Sequence, residues 1–564
     1  MKHIIFKTAA IAFLALGMAS CSDDLNISSI DPQSSPSYDV KELLAKQYST
    51  LGVTGQKGPD GKADLSCDEG ESGFYRTVFN LEELSTDEAL WAWQTDPDIS
   101  PISFISWNKS SSRVNWAYQR LTFDVTLYNQ FISEQTGKQD DSVIAEVRFL
   151  RALHYTYFLD LFHKAPFKDN FDGELPVEKS GKDLYDWIDN ELTDIESKLP
   201  DVGTYNTSKD FGRADRGAAY ALHARLALNS SVYTDGAVKD YAKAKDYCDK
   251  IINSGAYALC KEKKGGFSGY AQVFMGDNDV NPAAMKEIIF PIRQDGAKTK
   301  QYGGATYLVS SCRIAGMPYG NTTEYWSCNF ARQNLVEKFF PKLDIPMVKQ
   351  DDYDAYLKAH GWTKDSLTEE RTIAMDSVCG GSTKQIIAKA GDDRAMFYMG
   401  SGGGVRTLNP GKQITGFLNG ASIVKWSNQR SDGSARHDDK FSDVDIPLFR
   451  LGEIYLTRAE AEYRLGQKDA ALADLNVLQD RANSTLSTSI DDNILINEWC
   501  KEFYMEGRRR SDLVRFGLYT GSKYLWSFKG GVPNGTGVEP MYKIYPIPDN
   551  DISGNPNMHQ NPGY

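Results

Sequence analysis

The sequence predicts a mainly α fold with long irregular excursions, and three observations carry that reading. Apolar residues recur at helical spacing over most of the chain outside residues 260–440. Several of these helices come in pairs joined by short turns. The stretch from 260 to 440 is instead interrupted by glycine-rich segments, and aromatic residues make up 12% of the chain. That is more than a simple helical scaffold needs, and it leaves aromatics free for binding loops.

Helical patterns run through 40–51, 114–132, 140–163, 184–198, 214–232, 239–254, 446–465, 468–482 and 494–516. The clearest pair spans 446–482, where Ala459 and Ala471 lie twelve residues apart across a turn at Gly466, with Leu475 four further on. Small residues at that spacing let two helices cross closely, as in tetratricopeptide repeats. Similar pairs are expected at 114–163 and 214–254, where Tyr241, Ala242 and Ala244 open the second helix of the latter. The copies are unequally spaced, so a regular solenoid is not expected. Such pairs serve either as a scaffold for a protein partner or as core support for loops, and the pattern does not choose between them. The loop-rich regions are about 60–110 and 260–440. The second contains the glycine runs at 264–269, 302–304 and 400–404 and short strand-like runs at 287–292 and 421–426.

The N-terminus reads as a processing segment. Lys2 and Lys7 precede an apolar run, 8–18, too short for a bilayer span. The run ends in Met-Ala-Ser-Cys at 18–21, which resembles the lipobox of bacterial lipoproteins. Residues 1–20 would then be a signal peptide and Cys21 the lipidated first residue of the mature chain. Asp23 and Asp24 resemble the acidic surface-export signal of Bacteroidetes lipoproteins, and the polar segment to residue 37 reads as a flexible tether. Membrane attachment is therefore expected through lipid alone. A formal charge of −13 argues against nucleic acid or an anionic membrane surface as partner. Seven cysteines remain after Cys21, an odd number, so at least one is unpaired. No C-x-x-C pair or His/Cys cluster points to zinc. Cys312 and Cys328, in one loop-rich region, are the candidates for a disulfide.

Trp91-Ala92-Trp93 lies in a polar stretch where two indoles are hard to explain by packing alone. Ser85 and Glu88 have the spacing of a capping box, which predicts a short helical turn that buries one indole and presents the other. An exposed indole offers a flat apolar surface, and sugar rings are ligands with flat apolar faces. The alternative is that both indoles are core.

The run 145–167, AEVRFLRALHYTYFLDLFHKAPF, resembles the signature helix of the RagB/SusD family. Further matches follow in order at 191–200, 213–229, 449–461, 502–517 and 544–564. Loop segments at 51–58, 68–77, 90–94, 293–309 and 504–520 resemble the starch-binding type of that family. The resemblance implies tetratricopeptide-type helix pairs supporting a loop-rich ligand face. It also implies a non-enzymatic surface lipoprotein that passes malto-oligosaccharides to a SusC-like TonB-dependent transporter in the outer membrane. Carried over by position, the glycan site comprises Trp93, Trp91, Tyr302, Trp326, Arg76 and Asp96. At position 96 this chain departs from the pattern, which has Asn. The alternatives are an ion pair of Arg76 with Glu69 or Glu71, and a loop-anchoring role for Trp326. The resemblance also implies a structural calcium ion at Asp279, Asp443 and Asp445. Asp277 completes two acid pairs of the kind that cation accepts, and the alternatives are turn acids or a helix N-cap at Asp445. The basic run 508–517 is expected to pair with acids of neighbouring helices such as Glu453, Glu460 and Glu506. Two rivals remain: a glycoside hydrolase, for which Asp96 is one acid without an obvious second, and a receptor of the same fold for a peptide or another glycan.

Overall fold

The computed structural model describes residues 39–55, 57–59, 61–206, 209–318, 320, 322–409, 411 and 413–564. The signal segment, Cys21 and the tether lie outside the described residues. The chain divides into two units, one ending at Lys46 and one running from Gln47 to Tyr564. In the first, the described residues open the Val40–Gly52 helix. All that follows concerns the second.

Its scaffold is a row of helices, each packed on the next: Ser112–Gln135, Asp141–Phe162, Gly181–Glu196, Arg216–Leu228, Tyr241–Asn253, Leu451–Arg464 and Lys468–Arg481. Asp215 caps the fourth by accepting the N–H groups of Gly217 and Ala218. Gly466, at φ +81°, turns the chain between the last two. The expected small-residue contact is present there: Ala459 and Ala471 are fully buried with Leu475, Ile490 and Leu495. Ala227, Ala244 and Ala461 join Leu456, Leu478 and Trp499 in a second core. Small residues thus let Tyr241–Asn253 dock on Leu451–Arg464 across two hundred residues of intervening chain. The row is continuous, because the Gly181–Glu196 helix fills the place between the two expected pairs.

Four expectations need correction. Residues 446–450 form a strand, not the start of a helix; Ile446–Arg450 pairs antiparallel with Ile288–Ile292, and the helix begins at Leu451. Pro447 lacks the N–H a helix would use, and the branched and aromatic neighbours favour the extended chain. The 494–516 pattern is two helices, Asp492–Phe503 and Arg509–Arg515, separated by left-handed residues Met505 (φ 61°) and Gly507 (φ 73°). Within 60–110, Phe74–Glu83 is a helix all ten of whose residues are buried. Phe74, Tyr75, Val78 and Phe79 recur at helical spacing, and the polar side chains Arg76, Asn80, Glu82 and Glu83 on the rest of the helix face partners rather than water. Residues 260–440 also hold more helix than expected, including Ala305–Ser311, Gln333–Phe339 and Gln350–His360.

The basic run is structural. Arg508 meets Glu453 at 2.9 Å, Arg515 meets Glu460 at 2.9 Å, Arg509 meets Asp87 at 2.7 Å and Arg510 meets Glu82 at 2.8 Å. Glu506 pairs instead with Arg450 at 2.7 Å and Lys425 at 2.5 Å. The two left-handed residues flanking it turn its side chain toward the Ile446–Arg450 strand. All seven cysteines among the described residues are free thiols, Cys312 and Cys328 included. No helix among the described residues is long and apolar enough to cross a membrane.

Candidate functional site

A narrow ribbon and one turn build the site. Strand Ala89–Trp91 pairs antiparallel with Asn329–Ala331, and Ala331 bridges on to Ala421. The Ala92 N–H continues the ladder to the Cys328 carbonyl at 2.6 Å. The capping box is therefore not formed: the Ser85 hydroxyl donates back to the Leu81 carbonyl, and the chain leaves the Phe74–Glu83 helix into a strand. Trp91 ends that strand buried at 3% exposure, whereas Trp93, just beyond it, is 45% exposed. One indole is buried and one presented, as expected, but a strand end makes the division.

Glycine lets the second segment approach. A Cβ on Gly73 would stand 2.7 Å from the Gly303 carbonyl oxygen, so the two chains cross backbone to backbone. The Arg76 N–H donates to that carbonyl at 3.1 Å, and the Tyr302 N–H donates to Glu69 at 3.2 Å. Tyr302, Trp326 and the 74–83 helix are thereby brought to one place.

Ring contact joins Tyr302 to Trp326, and a hydrogen bond to the Trp326 backbone joins Trp93 to them. Tyr302 and Trp326, both half-buried, have centroids 5.9 Å apart. The Trp93 indole N–H donates to the Trp326 carbonyl at 3.3 Å, which seats the exposed indole beside its neighbour. Beneath lies Tyr307, stacked on Trp91 at 5.6 Å and fully buried. The Arg76 guanidinium stands 4.6 Å from the Tyr307 centroid, 5.7 Å from that of Trp326 and 5.8 Å from that of Trp91. Arg76 is 7% exposed and pairs with Glu71 at 2.5 Å, the ion pair the sequence offered as an alternative to sugar contact. Glu71 also meets Arg113. Burial alone would raise the Glu71 carboxyl, but the two guanidiniums hold it below its ordinary value. The base of the surface is thus a buried cation–π and ion-pair cluster.

Asp96 is half-buried, and its Oδ2 accepts the Trp91 indole N–H at 2.9 Å. Glu324 accepts the Trp326 indole N–H at 2.9 Å and lies 3.6 Å from Lys440, whose ammonium sits 5.1 Å from the Tyr302 centroid. Phe417, 39% exposed, lies 4.8 Å from Trp93. Sequence reasoning missed Phe417, Tyr307, Glu324 and Lys440. A phenylalanine in a glycine-containing polar loop was the one available sign, at 414–420.

The acidic residues lie elsewhere. Asp445 is fully buried; its Oδ1 accepts the Gln294 N–H at 2.6 Å and its Oδ2 lies 2.8 Å from Arg293 Nε. It precedes a strand, so it is no helix N-cap. Burial, with Asp279 and Asp295 nearby, pushes its carboxyl up to about 8 against the pull of Arg293. Asp279 meets Arg293 at 3.0 Å and is raised by burial too. Asp443 accepts from the Gly296 N–H and His437, and the ligand atoms of Asp295, His437 and Asp443 lie within 4.8 Å of one another. Asp277 is committed to Ser431. Arg293 thus stands against both Asp279 and Asp445, and among the described residues the cluster whose ligand atoms converge is Asp295, His437 and Asp443, which shares only Asp443 with the expected calcium set.

Comparison with known proteins agrees with this architecture. Residues 286–564 match the profile of the SusD family. The chain is 52% identical to Starch-binding protein SusD of Bacteroides thetaiotaomicron over 566 residues, covering 99% of this chain and 98% of that one. It is 26% identical to SusD-like protein P25 of Formosa agariphila, covering 92% and 90% of the two. Among solved structures, a SusD-like protein from Bacteroides fragilis aligns with TM-score 0.64 at 18% identity, covering 95% of this chain and 100% of that one. Surface glycan-binding protein A from Bacteroides thetaiotaomicron, in complex with laminarihexaose, aligns at 0.62 and 18% identity, covering 93% and 98%. With its helix row and loop-borne aromatic surface, and with half its residues shared along almost its whole length with one member, the chain belongs to the SusD family.

Proposed function

We propose that this protein is a non-enzymatic, cell-surface binder of starch and malto-oligosaccharides that hands its ligand to a SusC-like TonB-dependent transporter in the outer membrane, to which Cys21 anchors it by lipid. The observation that carries the reading is the adjoining set of Tyr302, Trp326 and Trp93 on a chain 52% identical to a starch-binding protein. A glucose ring has C–H groups on its faces and hydroxyls around its rim. Rings set on successive loops follow the curl of an α-1,4 glucan, and polar side chains meet its rim. In this reading Trp93, Trp326 and Tyr302 offer faces, and Trp91 holds the turn. Arg76 sets the indoles from behind, and Asp96 turns its second oxygen to a sugar hydroxyl. Each wet stack contributes about 1 kcal/mol. With a few solvated hydrogen bonds, less the cost of ordering the sugar, affinity falls at roughly micromolar to millimolar Kd. Weak binding suits a protein that must release its ligand. Asp279, Asp443 and Asp445 would hold a structural calcium ion beside the Ile446–Arg450 strand.

Affinity electrophoresis in gels containing amylopectin, pullulan, dextran, inulin or no glycan tests the assignment. Retardation by amylopectin and pullulan is expected; retardation only by inulin, or by none, defeats it. New reducing ends on incubation with amylopectin would make the protein a hydrolase instead.

A further inference from the structure

We propose that Phe417 is a further glycan-contacting residue, extending the aromatic surface past Trp93 so that longer α-glucan chains bind more tightly than short ones. The proposal rests on the α-glucan reading of the site. Phe417 is 39% exposed and Trp93 45% exposed, yet their ring centroids are only 4.8 Å apart with planes inclined at 59°. The rings meet at an angle and each stays more than a third exposed, and the Trp93 indole donates to the Trp326 carbonyl.

The position of Phe417 is set by the same ribbon that places Trp93. Its loop leaves and returns at one point: the Thr407 N–H donates to the Leu418 carbonyl at 2.9 Å, and the Gly420 N–H donates to the Thr407 carbonyl at 2.7 Å. Arg406 Nε donates to the Gly420 carbonyl at 3.1 Å. Gly420 has φ +65°, and a Cβ there would stand 2.3 Å from the Ala331 carbonyl oxygen. Ala331 pairs on one side with Ala421 and on the other with Ala89, in the strand that ends at Trp91. Phe417 and Trp93 thus lie just outside the two segments that flank the Asn329–Ala331 strand on either side of one ladder. Backbone bonds close the loop, and the phenyl ring stands with Trp93 as a contiguous exposed aromatic pair of the kind that marks a ligand-binding groove.

Isothermal titration with maltotriose and maltoheptaose tests this on the wild type, Phe417→Ala, Phe417→Tyr and Trp93→Ala. Phe417→Ala should weaken maltoheptaose about fivefold, one stacking contact's worth, and leave maltotriose within about twofold. Phe417→Tyr should restore the longer ligand. An unchanged maltoheptaose affinity, or equal losses for both ligands, overturns the proposal. If Trp93→Ala leaves both ligands unchanged, the glycan site itself is misplaced and the inference falls with it. A failure confined to Phe417 leaves that site standing.

Discussion

Replacing Trp93 with alanine removes the most exposed ring of the surface and little else. A fully covered aromatic side chain accounts for about 150–250 Å², so 45% exposure leaves roughly 100 Å² of indole open to solvent. A sugar ring lying on one face covers roughly half of that, which at about 25 cal/mol per Å² gives about 1.2 kcal/mol. Face-specific attraction adds up to about 1 kcal/mol. Affinity for maltoheptaose should therefore fall about 8–40-fold. The indole donates one hydrogen bond, to the Trp326 carbonyl at an exposed position, so the thermal midpoint should hardly move. Trp91→Ala is the contrast: that ring is 3% exposed and stacked on Tyr307, and its loss should cost about 3–5 kcal/mol of stability. Titration calorimetry on both variants, paired with thermal unfolding, reads the two effects apart. Wild-type affinity in Trp93→Ala would refute the assignment of its face to the ligand.

Asp96→Asn keeps an acceptor for the Trp91 indole and converts the other edge from acceptor to donor. It should leave stability unchanged and shift maltoheptaose affinity by about 3–10-fold; an unmoved affinity removes Asp96 from the site. Dialysis against a calcium chelator should lower the thermal midpoint by a few degrees, since saturation at a hundred times Kd contributes about 2.7 kcal/mol. Calcium should restore the midpoint, and Asp445→Asn should abolish the response; a midpoint indifferent to calcium would sink that site. Burial raises the Glu83 carboxyl well above its ordinary value, and Glu88 beside it raises it further; burial also lifts Glu88, to about 7, against the pull of Arg509 and of its hydrogen bond with Glu83. The folded state therefore binds more protons than the unfolded chain from roughly pH 4.5 upward, through about 7 for Glu88 and beyond for Glu83, so this pair's contribution is full below that window and is lost as pH rises through it. Urea midpoints should fall across the window, and Glu83→Gln, whose oxygen still accepts the Gly507 N–H, should flatten the slope; an unchanged slope in that variant refutes the assignment.

The helix row was legible where burial is one-sided. Ala459, Ala471 and Leu475 mark a helix crossing because small and large apolar residues recur at the helical period, and the structure packs them together. The Phe74–Glu83 helix carries an apolar stripe of Phe74, Tyr75, Val78 and Phe79, only ten residues long among glycines and acids; what the stripe does not show is that tertiary partners bury the charged residues as well. The same applies to 446–450, where apolar residues alone do not distinguish a buried strand from a helix turn until Ile288–Ile292 arrives to pair. Glu506 was assigned to the wrong partner because Met505 and Gly507 take left-handed conformations, which residue type alone announces only for the glycine.

By itself the sequence determined the mainly helical class, the chemistry of an aromatic surface rather than a charged one, and the residue types at 91, 93, 302 and 326. Only the tertiary structure decided which indole faces solvent, that Arg76 is held beneath the rings by Glu71, and that Phe417 stands beside Trp93. Local propensity and periodicity act over a few residues and survive in any one segment. A binding surface is made by side chains two or three hundred positions apart, and their meeting is set by strand register and by backbone crossings such as Gly73 against Gly303, which exist only once the chain has folded.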